Sequence, residues 1–249
     1  TPPNSLEEEV YKLRQTGYLG ASVTIPHKEK IATFIDRVDD RAASIGAVNT
    51  IAKEGSDLVG YNTDTYGFIR SLKDLGGFDP LGKRVLVLGA GGAARAAVFG
   101  LAYEGVKSLV VSNRSIDRAQ SLIGNVRASI EHVSVIPMNK EALGEVAPFT
   151  DLIVNSTSVG MLHGDAEDCT PLDANLISSE ALVYDMVYNP PETPLLNEAR
   201  KVGARTMSGL PMLIYQGASA FRHWTGRKAP IEEMFRVGRM VLNRNSNVD

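Results

Sequence analysis

The residues able to do chemistry in this chain fall at four places. The run Gly89-Ala90-Gly91-Gly92-Ala93 follows the aliphatic stretch Val85-Leu86-Val87-Leu88 and leads into an alanine-rich segment. A buried strand, a tight turn and a helix N-terminus in that order present free N–H groups and the positive end of a helix dipole to an anion. Gly89 takes the turn, Gly91 leaves room for a pyrophosphate to approach the backbone, and Ala94 keeps the helix close to its strand. The next apolar stretch, 108–112, ends in Asn113-Arg114-Ser115, with Arg118 one helical turn further on. An acid at that position would bond the ribose hydroxyls of NAD; two guanidiniums suit the ribose 2′-phosphate of NADP, since Arg forks match phosphate in shape and charge. Asp117 points about 100° away round the helix and is not assigned to the ribose. The other two places are Lys28, where an extended stretch turns, and Asp64, which opens a helical pattern. As isolated residues they read as a surface lysine and a capping carboxylate.

The elements that must position these groups follow from pattern. Ser5 and Glu8 form a capping box, and Leu6, Val10 and Leu13 predict a first helix over about 6–16. Residues 18–23 read as a strand. Pro26 with Ile31, Phe34 and Ile35 predicts a helix after it, which sets Lys28 at a strand-to-helix junction. A brief helix ends at Gly46, residues 47–52 and 58–63 pair around the turn Glu54-Gly55-Ser56-Asp57, and a helix runs from Asp64 through Leu72. Gly76-Gly77 and Pro80-Leu81-Gly82 read as a hinge-like connection. Beyond it, strands at 84–88, 108–112, about 132–136, 151–155 and 181–185 alternate with helices at about 92–104 and 115–123, the pattern of a parallel sheet covered on both faces. The polar loops Asn155–Met161 and Asp185–Pro190 leave the carboxyl ends of strands, where such sheets bind ligands. Helices from Leu210 through Trp224 and over about 231–242 follow.

Composition excludes several classes. With 249 residues, two domains are the better expectation, and both halves are long enough for a core. The balance of 26 basic against 29 acidic residues predicts neither a nucleic-acid partner nor a polybasic membrane surface. The single Cys169 predicts a structural thiol in a reducing compartment, and a cytoplasmic location is expected, since no stretch reads as a signal peptide or a membrane span. The four histidines lack metal-ligand spacing, so no metal is expected, and His27 reads as structural.

Taken in order, Ser22-Val23-Thr24-Ile25-Pro26-His27-Lys28, Gly46-Ala47-Val48-Asn49-Thr50, Gly60-Tyr61-Asn62-Thr63-Asp64, the glycine run, Asn113-Arg114-Ser115 with Arg118, Asn155-Ser156-Thr157-Ser158 with Gly160-Met161, and Gly209-Leu210-Pro211-Met212 with Gln216-Gly217 resemble the shikimate dehydrogenase family. The resemblance runs from about residue 6 to the last helix. It implies the reversible NADP-dependent interconversion of 3-dehydroshikimate and shikimate on the route to chorismate and the aromatic amino acids. It further implies that Lys28 and Asp64 are the catalytic pair, and that Thr24, Asn49, Tyr188 and Gln216 join them in holding the substrate's hydroxyls or carboxylate. Gly89, Ala90, Gly91, Gly92, Ala93, Asn113, Arg114, Ser115, Arg118, Thr157, Met186 and Gly209 match the cofactor site, and Met212 is expected near the nicotinamide. The expected architecture is two α/β domains with the cleft between them. Residues 1–78 plus 214–249 form the substrate domain and 79–213 a Rossmann-type NADP-binding domain. The expected partner is a small-molecule substrate, and the expected state a monomer or homodimer. Lys28 is the expected proton donor in reduction and base in oxidation, with Asp64 orienting it and sharing the proton; a role for Lys28 mainly in binding a hydroxyl stays open.

Two departures from the family pattern carry expectations of their own. The family begins with a strand, a Ser-x-Ser loop gripping the substrate carboxylate and a helix, none of which precedes Thr1; the expectation is an exposed edge on strand 19–23 and better NADP binding than shikimate turnover. Ser22 stands where many relatives carry Asn. The competing readings are a quinate/shikimate dehydrogenase of broader substrate or cofactor range and a catalytically impaired NADP-binding module.

Overall fold

The computed structural model describes residues 1–15, 17–24 and 26–245. Helix α1 (Leu6–Leu13) is followed by β1 (Gly20–Ser22), β2 (Arg37–Val38), α2 (Asp40–Ile45), β3 (Thr50–Glu54), β4 (Asp57–Tyr61) and α3 (Asp64–Asp74). These strands make a mixed sheet in the order β1-β3-β4-β2, with β3 and β4 antiparallel around a turn at Gly55, whose φ of +63° suits glycine. Leu6, Val10, Ile31, Val48, Ile51 and Leu58 form the core of this part. Strand β1 lies at its edge, as expected.

The second part runs β5 (Arg84–Leu88), α4 (Gly92–Tyr103), β6 (Ser108–Asn113), α5 (Ile116–Gly124), β7 (His132–Pro137), α6 (Lys140–Val146), β8 (Leu152–Asn155), β9 (Leu182–Asp185), α7 (Pro194–Lys201) and β10 (Arg205–Met207). All pairings in its sheet are parallel, in the order β10-β9-β8-β5-β6-β7. Alternate residues of β5 feed opposite cores, Val85 and Val87 into one, Leu86 and Leu88 into the other, as a strand of period two covered on both faces must do. Helices α8 (Leu210–Thr225) and α9 (Ile231–Asn245) then return: α8 packs along α3 and touches β3, and Ile214 and Leu242 help bury α9 against it.

Four expectations change. The helix predicted after Pro26 is only a 3-10 turn over Lys30–Thr33. The carbonyl of Lys28, which an α-helix would commit to the residue four positions on, accepts the Val48 N–H instead, at 2.7 Å. Ser5 makes no capping bond, because a 3-10 turn at Pro3–Ser5 runs straight into α1 and leaves Ser5 at ψ 4° rather than extended. Cys169 is exposed rather than buried as a structural thiol. Elements β2, α6, α7 and β10, each of eight residues or fewer, escaped the pattern.

Candidate active site

Asn49, just before β3, is fixed on both sides of its backbone: its N–H donates to the Tyr61 carbonyl at 3.0 Å and its carbonyl accepts from Val23 at 2.7 Å. Its buried side chain therefore acts as a rigid hub. Oδ1 accepts the Thr63 N–H at 2.7 Å, while Nδ2 donates to Asp64 Oδ1 at 2.8 Å and also lies 3.0 Å from Thr63 Oγ1 and 3.3 Å from Gln216 Oε1. Two amide hydrogens are shared among those three acceptors. Asp64 opens α3, where the helix dipole favours negative charge. Its second oxygen, Oδ2, accepts from Lys28 Nζ at 2.6 Å. With side chains only 18% and 10% exposed, Lys28 and Asp64 attract one another with little screening.

The glycine run lies against this pair. Gly89 has φ +106°, and a Cβ there would stand 2.7 Å from Ser156 Oγ, so the turn requires glycine. Among the described residues a Cβ on Gly91 would meet nothing within 4 Å, and no side chain caps the helix that begins after it. A Cβ on Gly92 would meet Lys28 Cδ at 3.7 Å: the lysine stem crosses the first turn of α4 and carries the ammonium to the edge of the glycine loop. At the end of β6, Asn113 Nδ2 donates to the Ser115 carbonyl at 2.8 Å and Ser115 caps α5. Arg114 and Arg118 are exposed, and neither guanidinium has a carboxylate partner among the described residues. An open helix N-terminus, with one guanidinium just past the neighbouring strand end and another in the first turn of the helix after it, is a donor set that fits a dinucleotide bearing a further phosphate.

Loops leaving β8 and β9 border the same edge. Thr157 is held by its N–H and hydroxyl to Asn155 Oδ1, at 3.1 and 2.6 Å. Met186 and Met212 are half-buried against one core cluster. Gly209 is forced by contact, since a Cβ there would lie 2.0 Å from the Met186 carbonyl. Met212 and Gln216, four residues apart on α8, share a helix face, so a single helix spans from the Met186 side to the Asn49 hub. The structure thus brings together Lys28, Asn49, Asp64 and Gln216. Thr24 and Tyr188 are exposed and make no side-chain hydrogen bond among the described residues, and Ile25 of the same motif lies outside them.

Sequence reasoning assigned no role to Thr63, Thr50 or Arg95. Thr50 and Thr63 are buried with hydroxyls 3.1 Å apart behind Asn49. Adjacency to Asn49 and Asp64 was the available signal. Arg95, directly after Ala94, reaches from α4 to the Ile45 carbonyl at 2.9 Å. His27 is buried with Nε2 2.7 Å from the Thr1 carbonyl, a structural setting. No group of three or more His, Cys, Asp or Glu among the described residues could hold a metal ion, and none of their helices is long and apolar enough to cross a membrane.

Comparison with known proteins gives a consistent result. Residues 1–51 match the family model for the shikimate dehydrogenase substrate binding domain, 75–187 that for shikimate / quinate 5-dehydrogenase, and 209–234 that for the shikimate 5′-dehydrogenase C-terminal domain. A shikimate dehydrogenase (NADP(+)) from Moorella thermoacetica is 47% identical over 98% of this chain and 82% of its own length. A shikimate 5-dehydrogenase from Thermus thermophilus, solved with NADP(H) and shikimate, superposes with a TM-score of 0.85 at 37% identity, over 97% of this chain and 86% of that one. The Listeria monocytogenes enzyme, solved with shikimate and NAD, gives a TM-score of 0.87 at 31% identity, over 95% and 83%.

Proposed function

The chain belongs to the shikimate dehydrogenase family, and we propose that it interconverts 3-dehydroshikimate and shikimate with NADP. The observation that carries the reading is the Lys28–Asp64 pair at 2.6 Å with the lysine stem against Gly92, which puts an acid–base pair beside an open phosphate-binding turn.

When bound, the nicotinamide cofactor supplies or takes up the hydride. Everything else falls to the chain. In the reduction, negative charge builds on the substrate's carbonyl oxygen, and the Lys28 ammonium stabilises it and donates a proton. Asp64 keeps the ammonium aimed and shares its proton, and Asn49 holds the carboxylate by its other oxygen. In the oxidation, neutral Lys28 takes the hydroxyl proton. Asn49 and Gln216, already at the hub, are joined in this reading by Thr24 and Tyr188 in holding the substrate's hydroxyls and carboxylate. Gly89 to Ala93, Thr157, Met186, Gly209 and Met212 receive the pyrophosphate and nicotinamide portions, and Asn113, Arg114, Ser115 and Arg118 the adenosine 2′-phosphate.

The proposed division assigns 1–78 plus 214–249 to substrate and 79–213 to cofactor, which accords with α8 lying along α3. The proposal places the protein in the cytoplasm, as a monomer or homodimer. Its test is NADP+ reduction followed at 340 nm with shikimate, with quinate and with NAD+ in parallel. Turnover with shikimate and NADP+ that collapses in Lys28→Ala supports the reading; a folded, NADPH-binding chain without turnover overturns it.

A further inference from the structure

Asp185, the last residue of β9, is fully buried and has no cation beside it among the described residues. A carboxylate in that position costs stability unless it is well hydrogen-bonded. Its Oδ1 accepts from Asn155 Nδ2 at 2.9 Å and from the Val187 N–H at 3.0 Å, and its Oδ2 accepts from Thr193 Oγ1 at 2.6 Å. Each donor belongs to a different piece of the strand-end rim. Asn155 fastens Thr157 in the loop after β8, Val187 is the second residue of the loop after β9, and Thr193 caps α7 by accepting the Leu196 N–H at 3.3 Å. Gly160 packs directly on this knot, since a Cβ there would stand 3.5 Å from Thr193 Cβ.

We propose that Asp185 is the positioning residue that holds the two strand-end loops of the cofactor cleft in register, so that cofactor affinity follows its ionisation. The inference rests on the assignment of Thr157 and Met186 to the cofactor site. Three hydrogen bonds to a carboxylate are charge-assisted and about twice as strong as those to a neutral acid, and protonation at Oδ2 reverses the bond to Thr193. The cost of burying the charge falls on folding as a whole, whereas the bonds it accepts fix the loops locally. Burial raises the carboxyl to about 6, against the lowering by Thr193, Val187 and Asn155, so the ionisation lies within reach of ordinary buffers. The groups bonded to it from β8, from α7 and from its own strand end are all uncharged. Tyr184, next to it on β9, is held neutral by burial, with its hydroxyl on Ser71 of α3; Glu192, before the α7 cap, is exposed and paired with Arg200.

The experiment measures NADPH affinity by fluorescence between about pH 8 and about pH 5 for the native chain and Asp185→Asn, with NADH alongside because it lacks the 2′-phosphate that titrates in the same range. The native dissociation constant should rise about five- to tenfold more than that of the variant as pH falls, with both nucleotides. In parallel, hydrogen exchange of the native chain should show protection of the Val187 and Thr157 N–H groups falling over the same interval, a readout that needs no variant. Thr193→Val, which removes one donor to the carboxylate, should move the midpoint upward. Identical profiles for native and Asp185→Asn, or protection that ignores pH, overturn the proposal. A native chain that binds neither nucleotide defeats the assignment of the cofactor site, while the exchange data still decide whether Asp185 holds the loops.

Discussion

Gln216 Oε1, on a helix late in the chain, accepts from Asn49 Nδ2 at 3.3 Å across 167 positions of sequence. The contact exists because α8 can approach α3 closely: a Cβ on Gly67 would lie 2.7 Å from the Met212 carbonyl and 2.8 Å from the Gln216 nitrogen. Backbone-to-backbone packing of that kind sets how far a side chain at 216 must reach.

Gly67→Ala should therefore do two things at once. Overpacking against backbone atoms that cannot rotate away should cost about 1–3 kcal/mol, read from urea midpoints. The displaced Gln216 should raise the KM for shikimate more than it lowers kcat. Unchanged stability would mean that α3 and α8 separate without resistance.

Lys28→Ala removes the ammonium and leaves Asp64 bonded to Asn49. Shikimate oxidation should lose about 10²–10⁴-fold in kcat, the usual worth of a positioned acid–base group. NADPH affinity, measured by fluorescence, should stay nearly constant. Parallel losses of both would make Lys28 a cofactor contact rather than a proton donor.

Arg114→Ala and Arg118→Ala each remove an exposed guanidinium that has no carboxylate partner among the described residues. If each bonds the 2′-phosphate, KM for NADP+ should rise about tenfold per substitution, the low end for a charge-assisted bond in solvent, while NAD+ kinetics remain as before. A matching rise with NAD+ would remove both residues from the 2′-phosphate.

Stability should also carry the mark of Asp185. Its carboxyl is raised to about 6 in the folded chain from an ordinary value of 3.8, so the folded state holds the proton more tightly than the unfolded one. Its favourable contribution is complete below about pH 4 and lost as pH rises through about 6. Between those limits the stability of the native chain relative to Asp185→Asn should fall, on the order of 3 kcal/mol. Urea unfolding at both ends of the interval measures it, and a difference that does not vary with pH would place the carboxyl at its ordinary value.

Much of this was legible in the chain. The β5 strand, its glycine turn and α4 came from aliphatic run, glycines and alanines alone, because each local preference agrees with the parallel sheet around it. The hairpin β3–β4 and the opening of α3 at Asp64 were equally local. The stretch after Pro26 was not, since its turn is decided by the Val48 N–H, twenty residues away, taking the Lys28 carbonyl. Elements β2 and β10, of two and three residues, carry too few side chains for a period to show.

The sequence by itself determined which residue types stand at strand ends and helix starts, and through them the family, the cofactor expected and the pair proposed for catalysis. Tertiary structure alone decided that Asp64 divides its oxygens between Lys28 and Asn49, that Lys28 lies on Gly92, and that Asp185 joins two loops and a helix cap. The physical reason is range: helix, turn and strand preferences act over a few residues, whereas hydrogen bonds between distant side chains form only where sheet order and helix packing bring them within about 3 Å.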